Sequence, residues 1–179
     1  MMDYVILGCR LLLVGIFLTS LAGKVRSRQA FREFLTATAT LLDVAPEPAR
    51  RLGMLAMAAE AAIVVLVIVP ATVPFGFALS AVTLGGFAYA LVRALKRGNA
   101  APCHCFGASA APVRKLHVVR NVVLIVLALM ALVATFGGMS HAVEIPGVVI
   151  TALAALVCVM LVVRLDDLAE LFGPTAARR

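Results

Sequence analysis

Five stretches of this sequence are apolar for long enough to cross a bilayer, and they constrain the fold more than any other feature. They run over 4–23, 52–69, 73–92, 118–136 and 146–163. Each approaches the roughly 20 residues that a helix needs to cross about 30 Å of hydrocarbon. Nothing alternates with period two in blocks of about ten residues, which argues against barrel strands. A chain of 179 residues that is 63% hydrophobic and 14% charged cannot bury all of that apolar surface in one soluble core. Composition therefore excludes a soluble globular domain, a disordered chain and a disulfide-rich miniprotein. The expectation is an all-α fold: one polytopic membrane helical bundle over 1–179, with about five transmembrane helices.

The net charge of +7 reads as a topology signal. Lys24, Arg26, Arg28, Arg32, Arg50 and Arg51 fall between spans one and two. Arg93, Lys96, Arg97, Arg114 and Lys115 fall between spans three and four, and Arg164, Arg178 and Arg179 follow span five. The opposite ends, 1–3, 70–72 and 137–145, hold no Lys or Arg. Cytoplasmic loops collect these residues. The N-terminus is thus expected outside and the C-terminus inside, with 24–51 and 93–117 cytoplasmic, in a bacterial-type inner (plasma) membrane. No basic patch is interleaved with aromatics, so nucleic acid is not an expected partner. Met1-Met2-Asp3 lacks the positive start of a cleavable signal peptide.

Between spans one and two, Phe31, Phe34, Leu35, Leu41 and Leu42 recur near helical spacing, with Arg28, Arg32 and Glu33 off that face. The segment 28–42 reads as an interfacial amphipathic helix, ended by Pro46 and Pro48. Pro70 to Pro74 leaves room only for an antiparallel hairpin of spans two and three.

The connection after span three carries the most chemistry: Pro102-Cys103-His104-Cys105-Phe106-Gly107. A disulfide between thiols this close in sequence is strained, and strained accessible disulfides exchange readily. Arg97, Arg114 and Lys115 nearby favour thiolate over thiol, and His104 can do the same or shuttle a proton. Two other readings stay open. One is a pair of inert loop thiols. The other is a zinc or copper(I) site of Cys103, Cys105, His104 and His117, although C-x-C is not the usual zinc spacing. Redox exchange is the reading taken, with no metal. Cys9 and Cys158 lie inside spans and read as small apolar residues.

Glu60 stands about eight residues into span two, roughly 12 Å from its basic end. A carboxylate at that depth needs a partner or a function. Arg10 in span one is the first candidate partner, with Lys24 and Arg120 competing. An ion pair that fixes packing and a proton relay or quinone contact are both open readings. Arg120 is expected to snorkel to the interface.

Several of these residues occur together in one known family. Arg10, the stretch from Phe17 through Ser20-Leu21-Ala22-Gly23-Lys24, Phe31, Glu60, Arg97-Gly98, the Cys103-His104-Cys105-Phe106-Gly107 loop and Arg120-Asn121 appear in the same order. The chain thereby resembles the methylamine-utilisation MauE family, within the DoxX-like redox-associated membrane proteins, over about residues 5–135. The resemblance implies a four-helix DoxX-like core, to which the fifth span is an addition. It also implies an association with maturation of methylamine dehydrogenase, whose small subunit carries many disulfides, alongside a thioredoxin-like partner.

The functional expectation is an integral membrane thiol–disulfide redox protein, and so a candidate thiol–disulfide oxidoreductase. Cys103 and Cys105 exchange. His104, Lys24 and Arg120 tune the thiolates, and Glu60 pairs with a base such as Arg10 or assists proton movement. Its partner is a thioredoxin-like protein or other thiol client, with a quinone as the candidate electron acceptor. The alternative is a non-enzymatic assembly factor or scaffold subunit of a membrane complex.

Overall fold

The computed structural model describes residues 2–98, 115–137 and 144–165. Among them are six helices and no strand. They are α1 (Met2–Val25), α2 (Arg28–Leu42), α3 (Pro46–Ile68), α4 (Val73–Lys96), α5 (Lys115–Thr135) and α6 (Ile145–Val163), with one 3₁₀ turn at Pro70–Thr72. All but α2 are long and apolar enough to cross a membrane. The protein is a multi-pass membrane helical bundle.

Local sequence sets the helix ends. Ser27 caps α2, its Oγ accepting from Ala30 N at 3.0 Å. Asp43 stops α2 by adopting the left-handed region at φ 56°, where its N–H bonds Ala39 O. Pro46 starts α3, where its missing N–H costs nothing. Val69, extended before Pro70, ends it. Thr72 Oγ then donates to the carbonyls of Leu66 and Val69, tying the hairpin to α3.

Helices α1, α3, α4 and α5 form a four-helix bundle: α3 packs on α4, α4 on α5, and α1 closes against α3 and α5. Its core is Leu13, Ile16, Phe17, Ile63, Val67, Phe77, Leu84, Leu124 and Ala128. Helix α2 lies over one end, against α1, α3 and α4. Helix α6 stands outside the four and packs on α1. The two run parallel, since Gly8 faces Thr151 and Gly15 faces Val159. Glu144 N donates to Tyr4 Oη at their shared N-terminal end. Of α6 only Ala155 is buried, so most of its surface is left for lipid.

At Gly76, α4 approaches α3 as closely as backbone allows. A Cβ there would sit 3.0 Å from Val67 N and 3.1 Å from Leu66 C. Backbone cannot give way as a flexible side chain can. Gly76→Val is expected to destabilise the bundle by about 1–3 kcal/mol through overpacking, read as a lower Tm of the purified protein in detergent. An unchanged Tm would mean that the hairpin contact is looser than described.

Candidate functional site

A chain this apolar buries few polar side chains, and among the described residues all of these but Ser80, which bonds back to Gly76 O within α4, collect towards the basic end of the bundle. Lys24 and Ser20 come from α1. Their i, i+4 spacing puts them on one face, and both are buried. Glu60 comes from α3 and is fully buried. His117, Arg120 and Asn121 come from the first two turns of α5, also at face-sharing spacing and also buried.

The centre is an ion pair between Lys24 Nζ and Glu60 Oε1, with side chains 2% and 1% exposed. Ser20 Oγ joins it on both sides: it donates to Glu60 Oε1 at 3.1 Å and accepts from Lys24 Nζ at 3.0 Å. Two aromatic faces complete the cage around the ammonium. The Phe34 ring centroid is 4.8 Å from Nζ and the Phe87 centroid 5.8 Å. Such faces attract a cation when water is excluded. Phe34 is the residue of α2 that is buried, and it reaches this position because α2 sits directly on Gly53 of α3. A Cβ at Gly53 would stand 3.2 Å from Phe34 Cε1. The second carboxylate oxygen, Glu60 Oε2, is buried and accepts no hydrogen bond from the described residues.

The structure separates Arg10 from Glu60. Arg10 Nε donates to Val67 O at 3.0 Å and Nη2 to Ile68 O at 2.9 Å. These carbonyls end α3, where no further turn can bond them and the helix dipole is negative. Arg10 is thus a side-chain cap at the far end of α3, and Lys24 holds Glu60. Arg120 also differs from expectation. It is 5% exposed, turned into the bundle and not out to the interface. Asn121 Nδ2 donates to His117 O at 2.8 Å, inside α5.

Sequence reasoning did not single out Ser20 or the two phenylalanines as parts of the site. The Ser20–Lys24 spacing was a usable signal for the first. The ring contacts join three helices and leave no local trace. Cys103, His104 and Cys105 lie outside the described residues. Cys9 and Cys158 are both free thiols, about six residues apart in level along the parallel pair α1 and α6. On the same end of the molecule, Arg97 at the close of α4 pairs with Asp43 at 3.4 Å and donates to Leu42 O. This fastens α2 to the start of the connection that carries the two cysteines in sequence. Among the described residues, no group of three or more His, Cys, Asp or Glu side chains is placed to hold a metal.

No curated protein and no solved structure matches the chain. A family model described as methylamine utilisation protein MauE matches residues 2–137. The matched segment runs through α1 to the end of α5 and stops before α6. It therefore takes in the four-helix bundle, α2 and the whole buried polar site, and by that match the chain belongs to the MauE family.

Proposed function

We propose that this protein is a membrane thiol–disulfide exchange protein whose reacting pair is Cys103 and Cys105, acting on a thiol-bearing partner in methylamine utilisation. The observation that carries the reading is the Cys103-His104-Cys105-Phe106-Gly107 sequence on the α4–α5 connection of a MauE-family chain. The buried bases at the same end of the bundle support it.

The oxidised pair is attacked by a partner thiolate. A mixed disulfide forms and the other cysteine leaves as thiolate. A second partner thiolate then resolves the mixed disulfide, so the partner departs with a disulfide and the pair is left as two thiols. Two electrons and two protons have moved from partner to pair. Returning the pair to its disulfide needs an acceptor of two electrons and two protons, and a quinone dissolved in the bilayer is of that class. His104, Lys24 and Arg120 favour the thiolates. Glu60 assists proton movement through Oε2, the oxygen that no described residue occupies. The client is a thioredoxin-like protein or the disulfide-rich subunit that the family's association names.

The test is a trap. Cys105→Ser leaves Cys103 to form a mixed disulfide that no neighbouring thiol can displace, and acid quenching with alkylation of free thiols stops the partner's second thiolate from resolving it. A reducible adduct between this chain and a single thiol protein is expected on a non-reducing gel. Absence of any adduct, together with full function of the variant, removes the reading. Stoichiometric co-purification of a partner that is indifferent to Cys103→Ser would instead assign a scaffold role.

The basic residues flanking the connection favour a cytoplasmic face, whereas the family's association with maturation of a disulfide-rich subunit favours the opposite one. An impermeant maleimide added to intact cells after mild reduction is expected to leave Cys103 and Cys105 unmodified until the membrane is opened. Modification in intact cells would put the connection outside.

A further inference from the structure

On the flank of the bundle, a groove opens between the end of α1, the outer face of α2 and the first turns of α3. It holds about 670 Å³. It has no part in the thiol chemistry above. Its rim is cationic. Arg28 and Arg32 project from one face of α2 at i, i+4 spacing, and Arg50 joins them from α3. All three are exposed. The ion pairs among the described residues are Lys24 with Glu60 and Arg97 with Asp43, so none of the three rim arginines is neutralised there. The N-terminus of α2 opens at the same rim through Ser27, with no acidic residue in its first turn. Its partial positive charge adds to that of the arginines.

The floor is apolar, formed by Phe31, Met54 and Met57 among others. From Arg50 to Met57 the groove descends α3 by about 10 Å, and its lining changes from guanidinium to thioether over that distance. Met54 remains 52% exposed. A phospholipid has this same gradient, with a phosphate at the headgroup and hydrocarbon directly below it. Planar guanidiniums suit phosphate oxygens through paired hydrogen bonds. The groove lies at one end of helices that cross a membrane, where lipid is the surrounding solvent.

We propose that this groove is a binding site for one anionic phospholipid, its phosphate held by Arg28, Arg32 and Arg50 and its acyl chains laid over Phe31, Met54 and Met57. A free acidic peptide or inorganic phosphate would use the rim but not the floor.

Native mass spectrometry of the full-length protein, delipidated and then titrated with phosphatidylglycerol or phosphatidylcholine in detergent, tests this. The wild type is expected to retain one phosphatidylglycerol in preference to phosphatidylcholine. Each arginine is expected to contribute about fivefold to affinity, so Arg28→Gln/Arg32→Gln/Arg50→Gln should lose well over tenfold. Arg26→Gln/Arg51→Gln removes two bases of the same segment that do not line the groove, and should change affinity by less than about twofold. An equal loss in that control would mean general surface charge and overturn the site, as would equal retention of the two lipids. Displacement of the lipid by millimolar inorganic phosphate alone would overturn the lipid assignment. Should the triple variant aggregate, the three single variants are read instead, and no loss in any of them overturns the proposal.

Discussion

Glu60→Ala is expected to lower the stability of the bundle by about 3–5 kcal/mol, more than any other single substitution in the membrane part of the chain. The reason is the lysine it leaves behind. Lys24 is 2% exposed and cannot reach water without moving α1 or α2. Ser20 Oγ and the faces of Phe34 and Phe87 would still surround it, but none of these carries a charge. Cation–π contacts return only about 0.5–2 kcal/mol. The measurement is unfolding in mixed micelles, or loss of the monodisperse peak on heating. Lys24→Met/Glu60→Leu removes both charges and keeps similar volume. It is expected to fall within about 1 kcal/mol of the wild type, because a well-packed apolar pair replaces a buried ion pair at little cost. A single-variant effect below about 1 kcal/mol would show that the pair does not hold the helices together. The double variant also separates structure from chemistry. If it folds but no longer supports partner oxidation, the pair takes part in the chemistry, through the carboxylate's proton movement or the lysine's effect on the thiolates. If it folds and functions, the pair serves packing alone.

Cys103→Ser and Cys105→Ser are each expected to reduce partner oxidation to the level of membranes lacking the protein, with stability unchanged. Each exchange needs two sulfurs, one attacked and one leaving, and a hydroxyl replaces neither. Cys9→Ala and Cys158→Ala are the internal controls. Both thiols sit in spans, Cys9 in the packed core beside Leu12 and Leu13, and partner oxidation should survive their loss. The readout is the redox state of the partner, followed by thiol alkylation and gel shift. Retention of partner oxidation in both loop variants would end the thiol reading and leave the scaffold role.

The crossing helices were legible because hydropathy is local. An apolar run of adequate length is able to span the bilayer, whatever it later packs against. Helix ends rest on equally local chemistry, but not as read: Pro46, taken as the stop of 28–42, begins α3, and Asp43 in the left-handed region ends α2. Glu60 was legible as a carboxylate in the wrong solvent. Its partner was legible only as a choice among Arg10, Lys24 and Arg120. Helical rise puts Arg10, about 10 Å from the opposite end of span one, near enough to the depth of Glu60 for the two side chains to meet. In the folded chain, α3 begins at Pro46, well before its apolar run. The register of the antiparallel pair α1 and α3 then sets Arg10 against Val67 and Ile68. Lys24 reaches Glu60 because helical side chains lean towards the N-terminus. Its ammonium stands beside Ser20, one turn back along α1.

Sequence by itself determined that this chain lives in a membrane, that five of its helices are long and apolar enough to cross it, which ends carry the basic charge and which thiols sit outside those stretches. These follow from transfer free energies summed over neighbouring residues, which need no knowledge of the other helices. Tertiary structure alone decided that Lys24 and not Arg10 neutralises Glu60. It also decided that Arg120 turns inward, that the added α6 packs on α1, and that three arginines from two helices share one groove. Each of these depends on the register and rotation of one helix against another. Side-chain packing between helices fixes those quantities, and that packing has no counterpart in the order of residues along a single span.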